Sequence, residues 1–291
     1  MHTPLYSGYF ILFSTQHLFM LKLLRKYSEE NNTILCFGID PRFEDIIPIH
    51  PIARVQSPEE RIMNYYFEIT DKLLEENQIA AIKPNYAYFA QYGFLGMSAL
   101  KNIIQRYKNK TLIILDAKRG DIGKSSEAYA TELYDFWGAD GSTVSPYMGA
   151  DSVKPFLRKN KLTYMLCRTS NKGAKDFEEL SCNGKKLYEY VAEKSLEWGC
   201  GLVVGATSDS IKKIVSITKN KVPLLIPGVG SQGGDLKMVL ESIKDNLSIH
   251  RINSSSGISY AYKKSKKYSD QPVEAALEEC NKLNKKIREY L

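Results

Sequence analysis

Leu112-Ile113-Ile114-Leu115-Asp116-Ala117-Lys118-Arg119-Gly120-Asp121-Ile122-Gly123 runs four apolar residues straight into a cluster of opposite charges. An apolar run of that length, bounded by polar and glycine signals, reads as a strand buried on both faces. Side chains alternate with period two along a strand, so Asp116 and Lys118 are expected on the same side. Asp121 follows once Gly120 has freed the backbone to turn. Two carboxylates beside an ammonium are costly to bury unless the charges are paired or used. The residues alone leave a structural ion-pair network, a solvated loop and a chemical centre all open.

Outward from this stretch, short apolar runs alternate with helical patterns. The expected strands are Ile34–Ile39, Ala80–Lys83, Leu112–Leu115, Gly141–Val144, Tyr164–Cys167, Gly201–Val204, Pro223–Ile226 and Ile249–Ile252. Ser57-Pro58-Glu59-Glu60 supplies an N-cap, a proline at the first helical position and early negative charge, and Ile62, Tyr66, Ile69 and Leu73 then fall on one helical face. Strand–helix alternation repeated eight times predicts an α/β fold with a parallel sheet, most simply a (β/α)8 TIM barrel. An open doubly wound sheet is the structural alternative, but no GxGxxG follows the first strand. Each expected strand ends in polar residues or glycine: Asp40; Lys83 and Asn85; Asp116 and Lys118; Ser145; Thr169 and Ser170; Gly205 and Thr207; Gln232; and Ser254, Ser255 and Ser256. Barrels of this kind place their chemistry at the carboxyl ends of the strands. The seventh unit, Pro227-Gly228-Val229-Gly230-Ser231-Gln232-Gly233-Gly234-Asp235, offers glycine N–H groups that can cradle an anion where such barrels often bind phosphate.

A chain of 291 residues, 43% hydrophobic and 25% charged, is long enough for one barrel. Residues 20–291 are expected to form that single domain. Residues 1–19 are an extension, and Met20 to Tyr27 opens an amphipathic helix. Polar residues interrupt the apolar stretch Leu5–Leu24, so neither a signal peptide nor a membrane anchor is expected. The net charge of +7 concentrates in Lys263-Lys264, Lys266-Lys267 and Lys282, Lys285, Lys286 and Arg288, which read as solvated faces rather than a nucleic-acid interface. Five cysteines with no CxxC pair, and no histidine at metal-ligand spacing, argue for a reducing, cytoplasmic setting and against a structural metal. Cys36 and Cys167 lie in apolar runs and are expected to behave as small buried hydrophobes.

In order along the chain, Gly38-Ile39-Asp40-Pro41, Lys83-Pro84-Asn85, Asp116-x-Lys118-x-x-Asp121-Ile122, Thr169-Ser170-Asn171 and Pro227-Gly228-Val229-Gly230-Ser231-Gln232 resemble the orotidine 5′-monophosphate decarboxylase family. The resemblance runs from about Phe19 to the C-terminus, and DAKRGDIG is similar to the longer bacterial-type branch. It implies cofactor-free decarboxylation of orotidine 5′-monophosphate to uridine 5′-monophosphate (UMP), the last step of de novo UMP synthesis, in a homodimer with shared sites. It implies that Lys118 stabilises charge and protonates C6, as an ammonium should. Asp116, with Asp121 from the partner subunit, would face the substrate carboxylate, and Lys83 would complete the chain of alternating charges. Asp40 would hold the ribose hydroxyls with Asn85 as an accessory, and Ser170 and Thr169 the pyrimidine edge. Ile122 and Ser125 would line the site across the dimer. Pro227, Gly230, Gln232, Ser256 and Gly257 would surround the phosphate.

One position departs from the pattern. The family usually carries an arginine before a small residue after the eighth strand; here Asn253-Ser254-Ser255-Ser256-Gly257 places Ser256 there. A serine hydroxyl can bind phosphate but lacks the bidentate cation, so Lys263 or Lys264 would have to substitute or affinity would be lower. Two alternatives stand beside the decarboxylase: a magnesium-dependent barrel similar to hexulose-phosphate synthase, and a non-catalytic nucleotide-binding barrel.

Overall fold

Eight parallel strands follow one another around a closed barrel: β1 (Leu35–Ile39), β2 (Ala81–Pro84), β3 (Leu112–Arg119), β4 (Gly141–Val144), β5 (Leu162–Arg168), β6 (Gly201–Val204), β7 (Leu224–Pro227) and β8 (Arg251–Ser254). β8 returns to β1 with Cys36 opposite Asn253, which closes the ring. The computed structural model describes residues 7–49, 56–206, 209–229 and 234–291, with side chains from Leu18 onward. The barrel expected from the sequence is therefore present, and the open sheet is not.

Strand ends moved relative to expectation. β3 continues to Arg119 rather than stopping at Leu115, β5 spans Leu162–Arg168, β2 and β7 each shift by one residue, and β8 begins at Arg251 because 244–249 form a 3-10 helix. Apolar content marks burial, whereas the hydrogen-bonded ladder runs on into the polar residues at the barrel mouth. A two-stranded antiparallel hairpin, Ser181–Cys182 with Lys185–Lys186, is an addition that the apolar pattern does not announce.

Period-two alternation decides what each strand residue meets. Leu35, Phe37, Ile39, Ile113, Leu115 and Met165 pack outward with the helices. Cys36, Ala81, Leu112, Ile114, Leu162, Tyr164, Val203 and Leu225 form a separate interior cluster. Along the same faces, one or two steps further up, come Asp40, Lys83, Asp116, Thr143, Leu166, Pro227 and Asn253, which line a cavity at the carboxyl ends. Apart from Arg251 at the floor, the barrel interior is thus apolar below and polar above. The helix Pro58–Glu75 shows how sequence sets the outer layer: Ser57 Oγ accepts from Glu60 N (3.2 Å), Ser57 N donates to Glu60 Oε2 (3.0 Å), and Ile62, Tyr66, Ile69 and Leu73 are buried.

The floor is closed by the helix Ser7–Asn31, which runs without a break past Phe19 and Met20. Leu18 is 65% exposed, but Met20, Leu21 and Leu24 are buried in the interior cluster. Arg251, fully buried in the barrel interior, donates to the carbonyls of Leu24 (2.7 Å), His250 (2.7 Å) and Ser248 (3.2 Å). Burial lowers its pKa to about 10. No helix among the described residues is long and apolar enough to cross a membrane. Cys36 and Cys167 are buried and unpaired as expected, and burial pushes the Cys36 thiol up to about 12.

His250 packs beside Arg251 with both ring nitrogens engaged: Nδ1 accepts from Leu224 N (3.1 Å), and Nε2 donates to Asn220 Oδ1 (2.9 Å). Burial, helped by the Arg251 charge, lowers its pKa from 6.5 to about 3. Between those values the unfolded chain binds a proton that the folded chain refuses, so stability falls as pH drops below 6.5. Urea unfolding should show the fold losing about 2 kcal/mol through this histidine between pH 7 and pH 5. His250→Gln should remove most of that dependence; an unchanged slope would show the histidine is not its source.

Candidate functional site

The cavity at the barrel mouth has a volume of about 510 Å3. Asp40, Lys83, Asn85, Asp116, Lys118, Thr169, Ser170 and Pro227, eight residues singled out from sequence, all line it, arriving from strands or loops of β1, β2, β3, β5 and β7. Asp121, Ile122, Ser125, Ser256 and Gly257 do not line it, and Gly230 and Gln232 lie outside the described residues.

At its base a buried carboxylate lies between two ammonium groups. Asp116 Oδ2 accepts from Lys83 Nζ (2.8 Å), while Oδ1 accepts from Lys118 Nζ (2.7 Å) and Thr143 Oγ (2.7 Å). The Asp116 and Lys83 side chains are 9% and 5% exposed, but Lys118 is 47% exposed. Burial alone would raise the Asp116 pKa; the charges of Lys83 and Lys118 and their hydrogen bonds overcome it and hold the carboxyl well below the usual range. Burial likewise opposes the Lys83 charge, and Asp116 with Asp40 overcomes that to raise its pKa. Two ammoniums and one carboxylate leave the array with one net positive charge.

The expectation that simple alternation puts Lys118 beside Asp116 is corrected in one respect. The ladder between β3 and β4 slips between Leu115 and Arg119, and Lys118 has a left-handed backbone with φ of 48°. A non-glycine residue held there costs about 1–3 kcal/mol and persists only where its surroundings impose it. They do so on both sides. Lys118 N donates to Thr143 Oγ (3.0 Å), and beyond the bulge Ser145 N donates to Arg119 O (2.8 Å). Arg119 is itself clamped by Glu132 (2.9 Å) and by the rings of Tyr86 and Tyr129. The bulge makes the second lysine reach Asp116 while leaving its ammonium half open to the cavity.

Beside the array, at the ends of the adjoining β1 and β8, Oδ1 of Asp40 and Oδ1 of Asn253 are buried acceptors with no hydrogen-bond partner among the described residues. Such a pair suits a ligand that donates hydroxyl hydrogens. Asn253 and Ser255 crowd Gly38, where an added Cβ would collide with Ser255 Oγ and lie 3.0 Å from Asn253 Oδ1. Glycine is needed there for space. Thr143, Asn253 and Glu178 were missed by motif reasoning; Thr143 and Asn253 stand on inward positions that strand parity alone would have flagged.

Around the predicted anion site, Val229 and Gly234 bridge, with Gly234 N donating to Gly228 O (3.2 Å), so the ends of the glycine loop meet. Ser255 lines the cavity, while Ser256 begins the short helix Ser256–Ser259. Lys263, expected as a possible substitute cation, instead pairs with buried Asp45, as does Arg42 (2.5 Å). Among the described residues Lys83 and Lys118 are the cations lining the cavity. On the outer rim, Asp121 Oδ1 accepts from Ile122 N (2.8 Å), and Ile122 is 57% exposed. No group of three or more His, Cys, Asp or Glu side chains among the described residues is placed to hold a metal ion.

Comparison with known proteins gives concordant matches. The model of the orotidine 5′-phosphate decarboxylase / HUMPS family matches residues 35–270. An orotidine 5′-phosphate decarboxylase from Dehalococcoides mccartyi is 36% identical over 276 residues, 91% of this chain and 97% of that protein. The solved Leishmania donovani OMP decarboxylase superposes with a TM-score of 0.75 at 32% identity, covering 92% of this chain and 98% of that one. Leishmania donovani UMP synthase matches 91% of this chain with a TM-score of 0.75 at 33% identity, but this chain spans only 56% of its length.

Proposed function

This chain belongs to the orotidine 5′-phosphate decarboxylase / HUMPS family and decarboxylates orotidine 5′-monophosphate in pyrimidine biosynthesis; we propose that the Lys83–Asp116–Lys118 array is the centre at which it does so. One observation carries this reading: a net-positive, hydrogen-bonded charge array at the base of a cavity whose adjoining strand ends present unpartnered acceptors.

Loss of CO2 leaves an electron pair at C6 of the pyrimidine with no ring position to spread into. Lys118, half open to the cavity, stabilises that charge and delivers a proton to the carbon. Asp116 keeps the lysine charged and aimed, and Lys83 prevents Asp116 from taking up the proton itself. Thr143 fixes the carboxylate rotamer and the bulge together. Asp40 and Asn253 accept from the ribose hydroxyls, and Ser170 pairs with the pyrimidine edge. Asp121, Ile122 and Ser125 serve the site of a partner subunit, in keeping with their place outside this chain's own cavity and with the exposed Ile122 side chain. Neutral donors at the glycine loop and at Ser255 and Ser256 hold the phosphate. Its remote binding energy orders the site around the reacting carbon.

Purified protein mixed with orotidine 5′-monophosphate and EDTA should show loss of orotate ultraviolet absorbance; absent or chelator-sensitive turnover would overturn the assignment. Lys118→Ala should lower kcat by at least about 10²-fold while UMP still binds. Mixing Lys118→Ala with Asp121→Ala chains should restore roughly a quarter of wild-type activity, because half of the mixed dimers' sites are intact; no recovery would place Asp121 elsewhere. Ser256→Arg should lower KM several-fold if neutral donors carry the phosphate, with kcat little changed; an unchanged KM would mean a cation already serves there.

A further inference from the structure

Between β5 and the helix Leu187–Trp198 the chain builds a flap over the cavity rim from the short helix Ala174–Phe177 and the hairpin at 181–186. The flap is tied back to the barrel by one carboxylate. Glu178 Oε2 accepts from Thr169 N (2.8 Å), and Glu178 Oε1 accepts from Thr169 Oγ (2.8 Å), so both oxygens engage the same residue. The side-chain amide of Asn171 lies 2.6 Å from that hydroxyl. On the other side of the same residue, the carbonyl of Thr169 accepts from Arg168, whose buried guanidinium is paired with Glu179 (2.7 Å). The Glu178 carbonyl in turn accepts from Tyr188 N (2.9 Å), which links the strut to the next helix.

Ser170 comes immediately after this clamp. Its backbone presses on Gly205 at the end of β6: a Cβ there would lie 2.8 Å from Ser170 N, Cα and Cβ. The end of the neighbouring strand β6 therefore confines Ser170 on one side, and Glu178, through Thr169, holds the residue before it on the other. Glu178 also lines both the catalytic cavity and an adjacent apolar cavity of about 600 Å3 beneath the flap.

We propose that Glu178 is a positioning residue that fixes Thr169 and Ser170 in the pose with which Ser170 reads the pyrimidine, an inference that rests on the functional reading above. Hydrogen bonds to an ionised acceptor are worth more than neutral ones, and two on one residue remove its freedom to rotate. The effect should be confined to ligands that carry a base. A residue that merely holds the rim together would weaken every ligand alike.

The test compares UMP with ribose 5-phosphate, which shares the sugar and phosphate and lacks the pyrimidine. In Glu178→Ala, UMP binding should weaken about tenfold or more and the KM for orotidine 5′-monophosphate should rise in parallel, with ribose 5-phosphate binding changed less than about twofold. Retained ribose 5-phosphate binding also shows that the variant is folded. In a Ser170→Ala background, Glu178→Ala should add less than about threefold, because the group it positions is gone. Unchanged UMP binding, equal weakening of both ligands, or full additivity in the double variant would each overturn the role. Wild-type protein that neither turns over orotidine 5′-monophosphate nor binds UMP would overturn the functional reading and this inference with it. Wild-type turnover with any of the three contrary results overturns the inference alone.

Discussion

Asp116 is a carboxylate removed from water at the one level of the barrel where apolar filling gives way to a cavity, and it is tolerated only because three donors converge on it. The pairing with Lys83 crosses from β3 to β2, the pairing with Lys118 folds the end of β3 back on itself, and the bond from Thr143 ties in β4. Removing one partner of such a buried pair costs about 3–5 kcal/mol, because the remaining charge is left uncompensated. The strained backbone at Lys118 exists inside this arrangement and depends on it. A structural ion-pair network and a chemical centre, opposed as readings of the sequence, would under the proposed function be one object. The charges that hold three strand ends together also hold a lysine ready above them.

The fold was legible in the sequence because parity and burial are written in residue type. Leu112 and Ile114 face the interior, Ile113 and Leu115 face the helices, and a run apolar at every position meets both demands. The same parity carried the reading from Leu112 to Asp116. The meeting of Lys118 with Asp116 that it also predicted is present, but plain strand geometry does not deliver it: a register slip does, imposed from outside the strand by Thr143 and by the anchoring of Arg119, and a single segment does not record its neighbours' constraints. Asn253 was passed over because the expected strand stopped at Ile252, whereas β8 runs on to Ser254 and sets Asn253 on an inward position beside the end of β1. Glu178 was beyond reach because a flap, not a strand, delivers it.

The mouth of the barrel divides its tasks by chemistry. Permanent charge is concentrated low, on β2 and β3, where strands fix it most firmly. The walls from β1 and β8 offer neutral or acidic acceptors, and the two cations near the first loop, Arg42 and Lys263, are turned to Asp45 instead of inward. The described cations of the cavity are thus gathered at one end, the end at which the reaction is proposed, and the phosphate is proposed to rest on neutral groups at the other. Under that proposal substrate orientation follows from charge as well as from shape, with the carboxylate end of the ligand drawn to the cationic end of the cavity.

The closure of the floor has a consequence for traffic. Tyr164, Leu24 and Arg251 fill the barrel interior beneath the cavity, and Arg251 fastens the N-terminal helix across the opposite opening. The cavity is therefore a blind well. If the array is the reacting centre, as proposed, carbon dioxide released next to Lys118 has no path downward through this floor. Under that proposal gas and nucleotide both leave on the mouth side, so what covers the mouth bears on both departures.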